Sequence, residues 1–150
     1  MNQVKLSPAN IVILAGGAVM LIGSFLNFYT LSGLGHTYSA SAWSGANGLG
    51  IFGIATVVIL CGVVMAVQVA ISAFASGMTL PDRLLGLTWD QLHLALGFQA
   101  ALMMLAFLFR SKDPFSFGIG FWFMLLAAIA LLVGAIMRVT GAGSSPNPAG

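Results

Sequence analysis

Four long apolar runs, each fenced by Pro, Gly, Thr or a charged residue, dominate the pattern of hydrophobic and polar positions along the chain. They extend from about Ala9 to Tyr29, Leu49 to Phe74, Thr88 to Arg110 and Phe115 to Arg138. Each is apolar all round, with no polar residue at every second position as a lipid-facing barrel strand would need. A helix crossing a hydrocarbon core about 30 Å thick takes roughly 20 such residues, because each adds about 1.5 Å. The pattern therefore predicts four transmembrane helices over 9–29, 49–74, 88–110 and 115–138.

The punctuation supports these limits. Pro8 stands where a helix begins and its missing N–H costs nothing. Thr88 followed by Gln91 fits a capping box, in which each side chain satisfies a backbone N–H that the first turn leaves unpaired. Pro114 precedes the fourth run, and a Gly/Ser/Pro tail, 141–150, follows it as a flexible extension. The expected fold is an all-α integral membrane four-helix bundle over 1–140.

Two connections carry more than a turn. Residues 30–48 are rich in Ser, Gly, Thr and aromatics and contain no Lys, Arg, Asp or Glu. Tyr29, Tyr38 and Trp43 suit a membrane–water boundary, where a ring sits in lipid and its polar edge in water. This outer loop is expected to lie folded on the bilayer surface, with Tyr38 and Trp43 as docking contacts. Residues 79–87 form an interfacial segment in which Pro81 and Asp82 are placed to start a short helix. Ser111 to Pro114 is so short that helices three and four must be antiparallel neighbours.

Charge is scarce. The 150 residues include five Lys and Arg, three acidic residues and 59% apolar residues, whereas a soluble domain has about a quarter charged residues. With four spans both termini share a side, which collects Lys5, Arg83 and Arg138 against Arg110 and Lys112. The positive-inside rule then places both termini of this multi-pass chain on the cytoplasmic side and the long first loop outside. The first run with Lys5 and the string Ser39 to Ala42 has the ingredients of a signal peptide, but that cleavage string lies too far past the apolar core, so an uncleaved span is expected.

Lipid tails are as apolar as leucine, so helices in a bilayer associate through small residues rather than through burial of Leu. Candidate packing or partner-contact faces are Gly16 and Gly23 in helix one, and Gly62, Ala66 and Ala70 in helix two. Gly97 continues the set in helix three, with Gly120, Ala127 and Gly134 in helix four.

Polar groups within the runs are Asn27, Cys61, Gln68, His93 and Gln99, and Gln68 and Gln99 are placed to bond across helices two and three. No charge falls at mid-run, which argues against ion pumping and voltage sensing. His93, one turn inside helix three and near Asp90, is the weak functional candidate. Haem ligation lacks a second histidine at matching depth, since His36 lies in the outer loop. One Cys and two His leave a structural metal site short of ligands, and the Gly-rich stretch 45–53 follows no strand, as a dinucleotide site requires. No catalytic residue, cofactor or metal is assigned.

The string Gly23-Ser-Phe-Leu-Asn-Phe-Tyr29, a Gly/Ser loop, and Ser41-Ala42-Trp43 before a Gly-rich approach to the second run together resemble a known pattern. So do Gly118-Ile-Gly-Phe-Trp122 and Gly134-Ala135. The chain is similar to small uncharacterised four-span membrane proteins of actinobacteria, whose first helix ends at a Leu-Pro-Trp-Tyr-like boundary and leads to an outer Ser-Ala-Trp motif. Asn27 departs from that boundary, where Pro or Trp is usual. The resemblance implies a plasma-membrane tetraspan and carries over no catalytic residues.

The leading functional expectation is a non-catalytic accessory or scaffold subunit of a larger plasma-membrane complex of respiratory or lipid-transport type. Its partners would be membrane lipids and other integral membrane subunits, with no nucleic acid. Alternatives are a small oligomeric channel or carrier, and an interfacial enzyme using His93 and Asp90.

Overall fold

The computed structural model describes residues 6–44, 54–75, 77–110 and 115–142. Four helices form the body: α1 (Pro8–Phe25), α2 (Ile54–Phe74), α3 (Trp89–Phe109) and α4 (Ile119–Thr140). All four are long and apolar enough to cross a membrane. The shortest, α1 with 18 residues, spans roughly 27 Å at the α-helical rise.

α1 packs most extensively on α4, and the α3–α4, α1–α2 and α2–α3 interfaces complete a ring. Close approach is set by glycine. A Cβ on Gly16 would meet Leu131 Cγ at 3.1 Å, one on Gly62 would meet Met20 Cγ at 3.1 Å, and one on Gly97 would meet Leu132 Cα at 3.1 Å. A Cβ on Gly17 would collide with that of Ala66, and one on Gly134 would lie 2.7 Å from Ile13 Cγ1. These contacts run α1 antiparallel to both α2 and α4. Between the helices, Ile13, Met20, Ile59, Met65, Met104, Met124 and Leu131 are fully buried.

Helix starts follow the capping chemistry. Ser7 Oγ accepts from the Asn10 N–H at 3.3 Å, with Pro8 opening the first turn of α1. Thr88 Oγ1 accepts from the Gln91 N–H at 3.4 Å, and Gln91 Oε1 accepts from the Thr88 N–H at 3.1 Å. The expected capping box is present, and α3 matches its expected span to within a residue.

The chain is not all helix. α1 stops at Phe25 instead of Tyr29, because Asn27 to Gly33 leaves the helix as strand β1 (Asn27–Gly33) and pairs with β2 (His36–Ser41). The expected outer loop is thus in large part a β-hairpin. Residues 115–117, expected as the first turn of helix four, form another strand, and α4 begins at Ile119. Residues 79–87, expected as a short interfacial helix, form a hairpin of β3 (Arg83–Leu84) and β4 (Leu87–Thr88). The last strand, β5 (Phe115–Phe117), pairs antiparallel with β1, so the main sheet has the order β2-β1-β5.

Both hairpins turn on Leu-Gly. Leu34 and Gly35 have φ of 52° and 79°, and Leu85 and Gly86 have φ of 54° and 83°. Positive φ at both central residues is the two-residue turn whose twist matches paired strands, and it favours Asn-Gly. Leucine accepts it at a steric cost of about 1–2 kcal/mol. The expected start of helix two at 49–53 and the tail beyond 142 lie outside the described residues.

Candidate functional site

The two ends of the bundle differ in chemistry. At the sheet end Phe28 is fully buried and meets Phe107 and Phe121 edge-on, each at a centroid distance of 5.4 Å. Phe117 stacks on Phe121 at 3.7 Å. The Gly118 N–H donates to the Phe28 carbonyl at 2.9 Å, and the Thr30 and Ser116 hydroxyls bond at 2.6 Å. Burial pushes the Tyr29 phenol above its ordinary pKa, with Arg110 pulling more weakly the other way.

Trp43 is held at this end while its ring stays partly open to the surroundings. Its Nε1–H donates to Ser24 Oγ at 2.9 Å, its ring stacks on Phe25, and the Ala42 N–H donates to the Ser24 carbonyl. Tyr38 is also exposed, on β2.

At the opposite end, where α1 begins and α4 finishes, polar side chains from three helices converge. Arg138, in the last turn of α4, turns inward and its Nε–H donates to Asp90 Oδ1 of α3 at 2.8 Å. Its Nη1 donates to Gln68 Oε1 of α2 at 3.4 Å and lies 3.3 Å from His93 Nδ1 of α3. Gln68 Nε2 in turn donates to Ser72 Oγ at 2.9 Å. A guanidinium only donates, so His93 Nδ1 must be the acceptor, and the neutral ring carries its proton on Nε2. That Nε2 is buried and has no hydrogen-bond partner among the described residues.

The physical logic of the cluster is local. Asp90 sits in the first turn of α3 and Arg138 in the last turn of α4, the ends at which helix dipoles favour an anion and a cation respectively. Antiparallel packing of α3 on α4 then brings these ends together. His93 Nδ1 and Gln68 Oε1, two acceptors held inside the bundle, take up donors that Asp90 leaves on the guanidinium.

His93 and Asp90, paired in the sequence analysis, are therefore brought together, but through Arg138. The link between Gln68 and Gln99 does not form: Gln68 bonds to Ser72 and Arg138 instead. Arg138, which is not among the sequence candidates, completes the cluster, and the order of the spans carries its signal. In any up-and-down four-span order, the start of the third helix and the finish of the fourth share one end.

The small residues lie where the helices meet. Gly23 faces Phe123 and Met124, Gly120 faces the carbonyls of Gly23 and Leu26, and Ala66 faces Gly17. Ala127 is buried, and Ala70 is half-buried on α2. His36 stands at the hairpin tip, remote from the cluster, and among the described residues no group of three His, Cys, Asp or Glu comes together to hold a metal. Comparison with known proteins gives no match: no family model, curated protein or solved structure matches the chain.

Proposed function

We propose that the chain is a multi-pass protein of the plasma (inner) membrane, with both termini cytoplasmic, and that it serves as a non-catalytic accessory or scaffold subunit of a larger membrane assembly. The membrane part of the reading rests on the outward faces of the helices. Ile22 and Phe25 on α1, Leu60 and Val67 on α2, Phe98 and Leu105 on α3 and Leu126 and Val133 on α4 are all exposed, a surface suited to lipid and costly in water.

The subunit reading is carried by the open edge of the sheet. Among the described residues β2 pairs only with β1. A two-residue turn makes Gly33 and His36 the hydrogen-bonded closing pair, so bonding alternates outward from it and the Thr37 and Ser39 N–H groups point away from β1. Such an edge templates pairing with another chain, and proteins ordinarily blunt it with Lys, Pro or a covering element. β2, His-Thr-Tyr-Ser-Ala-Ser, has neither Lys nor Pro. A neighbouring subunit that adds a strand here would gain main-chain hydrogen bonds without any chemistry inside the spans.

The test is purification of tagged protein from native membranes in mild detergent. A stoichiometric companion retained by the parent and lost on Ser39→Pro is expected, since proline there removes only an outward N–H and spares the β1 pairing. Purification of the parent with no stoichiometric companion sinks the subunit reading.

A further inference from the structure

A shallow groove of about 290 Å3 follows the outer flank of α2 along Val63, Val64, Val67 and Ile71 and is closed by Leu80 and Trp89. It shares Gln68, Leu80 and Trp89 with a second cavity of about 310 Å3, to which Ser72 and Asp82 also contribute. The two form one trough, hydrocarbon-like along the helix and polar where α2 ends.

The polar half is held in place. Trp89 Nε1–H donates to the Pro81 carbonyl at 2.8 Å, which fastens the segment before β3 to the start of α3. Gln68 is locked between Ser72 and Arg138. Asp82, which lines this half, forms no ion pair among the described residues, nor does Arg83 beside it. An unneutralised carboxylate next to an indole is a good receptor for an ammonium group, through charge and through the ring face.

We propose that this trough binds a phospholipid of the surrounding bilayer with a primary-ammonium headgroup, of the phosphatidylethanolamine type. One acyl chain lies along Val63, Val64 and Val67, and the ammonium is held by Asp82 against Trp89. Arg83, next in sequence, supplies the cation for the phosphate, so neighbouring side chains of opposite sign match a zwitterionic headgroup. Exposed Leu85 at the tip of the β3–β4 hairpin anchors the same segment in the interfacial layer of the leaflet.

This site rests on the membrane-spanning half of the proposed function and not on the subunit half. The experiment uses the full chain in mild detergent, with melting followed by tryptophan fluorescence after addition of phosphatidylethanolamine, phosphatidylcholine or phosphatidylglycerol. Phosphatidylethanolamine should raise the Tm by several degrees more than the other two. Asp82→Asn should abolish that preference, and Arg110→Gln, at the sheet end, should keep it. Equal shifts from the three lipids, or a preference that survives Asp82→Asn, would overturn the site. Retention of the parent in membranes washed with alkaline carbonate separates such a result from failure of the spanning reading, which release by that wash would mark.

Discussion

The sheet end and the terminal end of the bundle solve the same problem by different means. At the sheet end the chain between α1 and α2 supplies β1 and β2 and the chain before α4 supplies β5, and packed rings of Phe28, Phe107, Phe117 and Phe121 seal the helices beneath. At the terminal end, among the described residues, no strand crosses from one helix pair to the other. α2, α3 and α4 are joined there by one guanidinium that reaches Asp90, Gln68 and His93. Packed rings and backbone bonds are little affected by salt. A half-exposed ion pair is screened by salt, so the terminal end is the more salt-sensitive of the two.

Breaking the sheet end should have the largest effect. An alanine Cβ at Gly118 would collide with the Asn27 carbonyl oxygen, and one at Gly120 would lie 2.7 Å from the Gly23 carbonyl oxygen. These are backbone atoms, which cannot swing aside. Gly118→Ala should destabilise by about 3 kcal/mol, the upper range for overpacking, measured by unfolding in mixed detergent micelles.

The terminal cluster comes next. Arg138→Met should cost about 2 kcal/mol, because it strands Asp90 and leaves the acceptors on His93 and Gln68 unpaired. In a double-mutant cycle with Asp90→Asn, the second change should cost much less once the first is made. Additive losses would show that the two charges do not act as a pair. Returning to the sheet end, Ser24→Ala should cost about 1 kcal/mol by orphaning the Trp43 indole N–H, and tryptophan fluorescence should report the freed ring.

The smallest effects have the opposite sign and test both ends with one substitution. Leu34→Asn and Leu85→Asn relieve left-handed leucine at the two hairpin tips, where asparagine is the favoured residue. Each should stabilise by up to about 1 kcal/mol. If Leu85 is anchored in lipid as proposed, its gain should appear in detergent and shrink in bilayers, whereas that of Leu34 should be the same in both.

Much of this architecture was legible in the residues. The apolar runs gave the four helices, and Thr88 with Gln91 marked the start of α3 to the residue. The strands were hidden for definite reasons. Their turns are Leu-Gly, not Asn-Gly, so the strongest hairpin signal is missing. Their aromatic and β-branched residues also suit a membrane interface, which offers a competing explanation for Phe28, Tyr29 and Tyr38. β5 is only three residues long and has no identity as a strand until β1 lies beside it. Of the polar cluster, His93, Asp90 and Gln68 stood out as polar interruptions, whereas Arg138 resembled an ordinary helix-end cation.

Thr30 and Ser116, which bond across the sheet, are 86 positions apart in the chain. Ribosomes add roughly 5–20 residues each second, so β1 emerges several seconds before β5 exists. During that interval the β1–β2 hairpin has both outer edges unpaired, and two more helices must be inserted before the last strand can dock. The nascent protein therefore passes through a stage in which the seven-residue β1 is itself an edge, where the finished sheet shows only the three-residue β5 on that side. Its safe production depends on how quickly the second half follows the first.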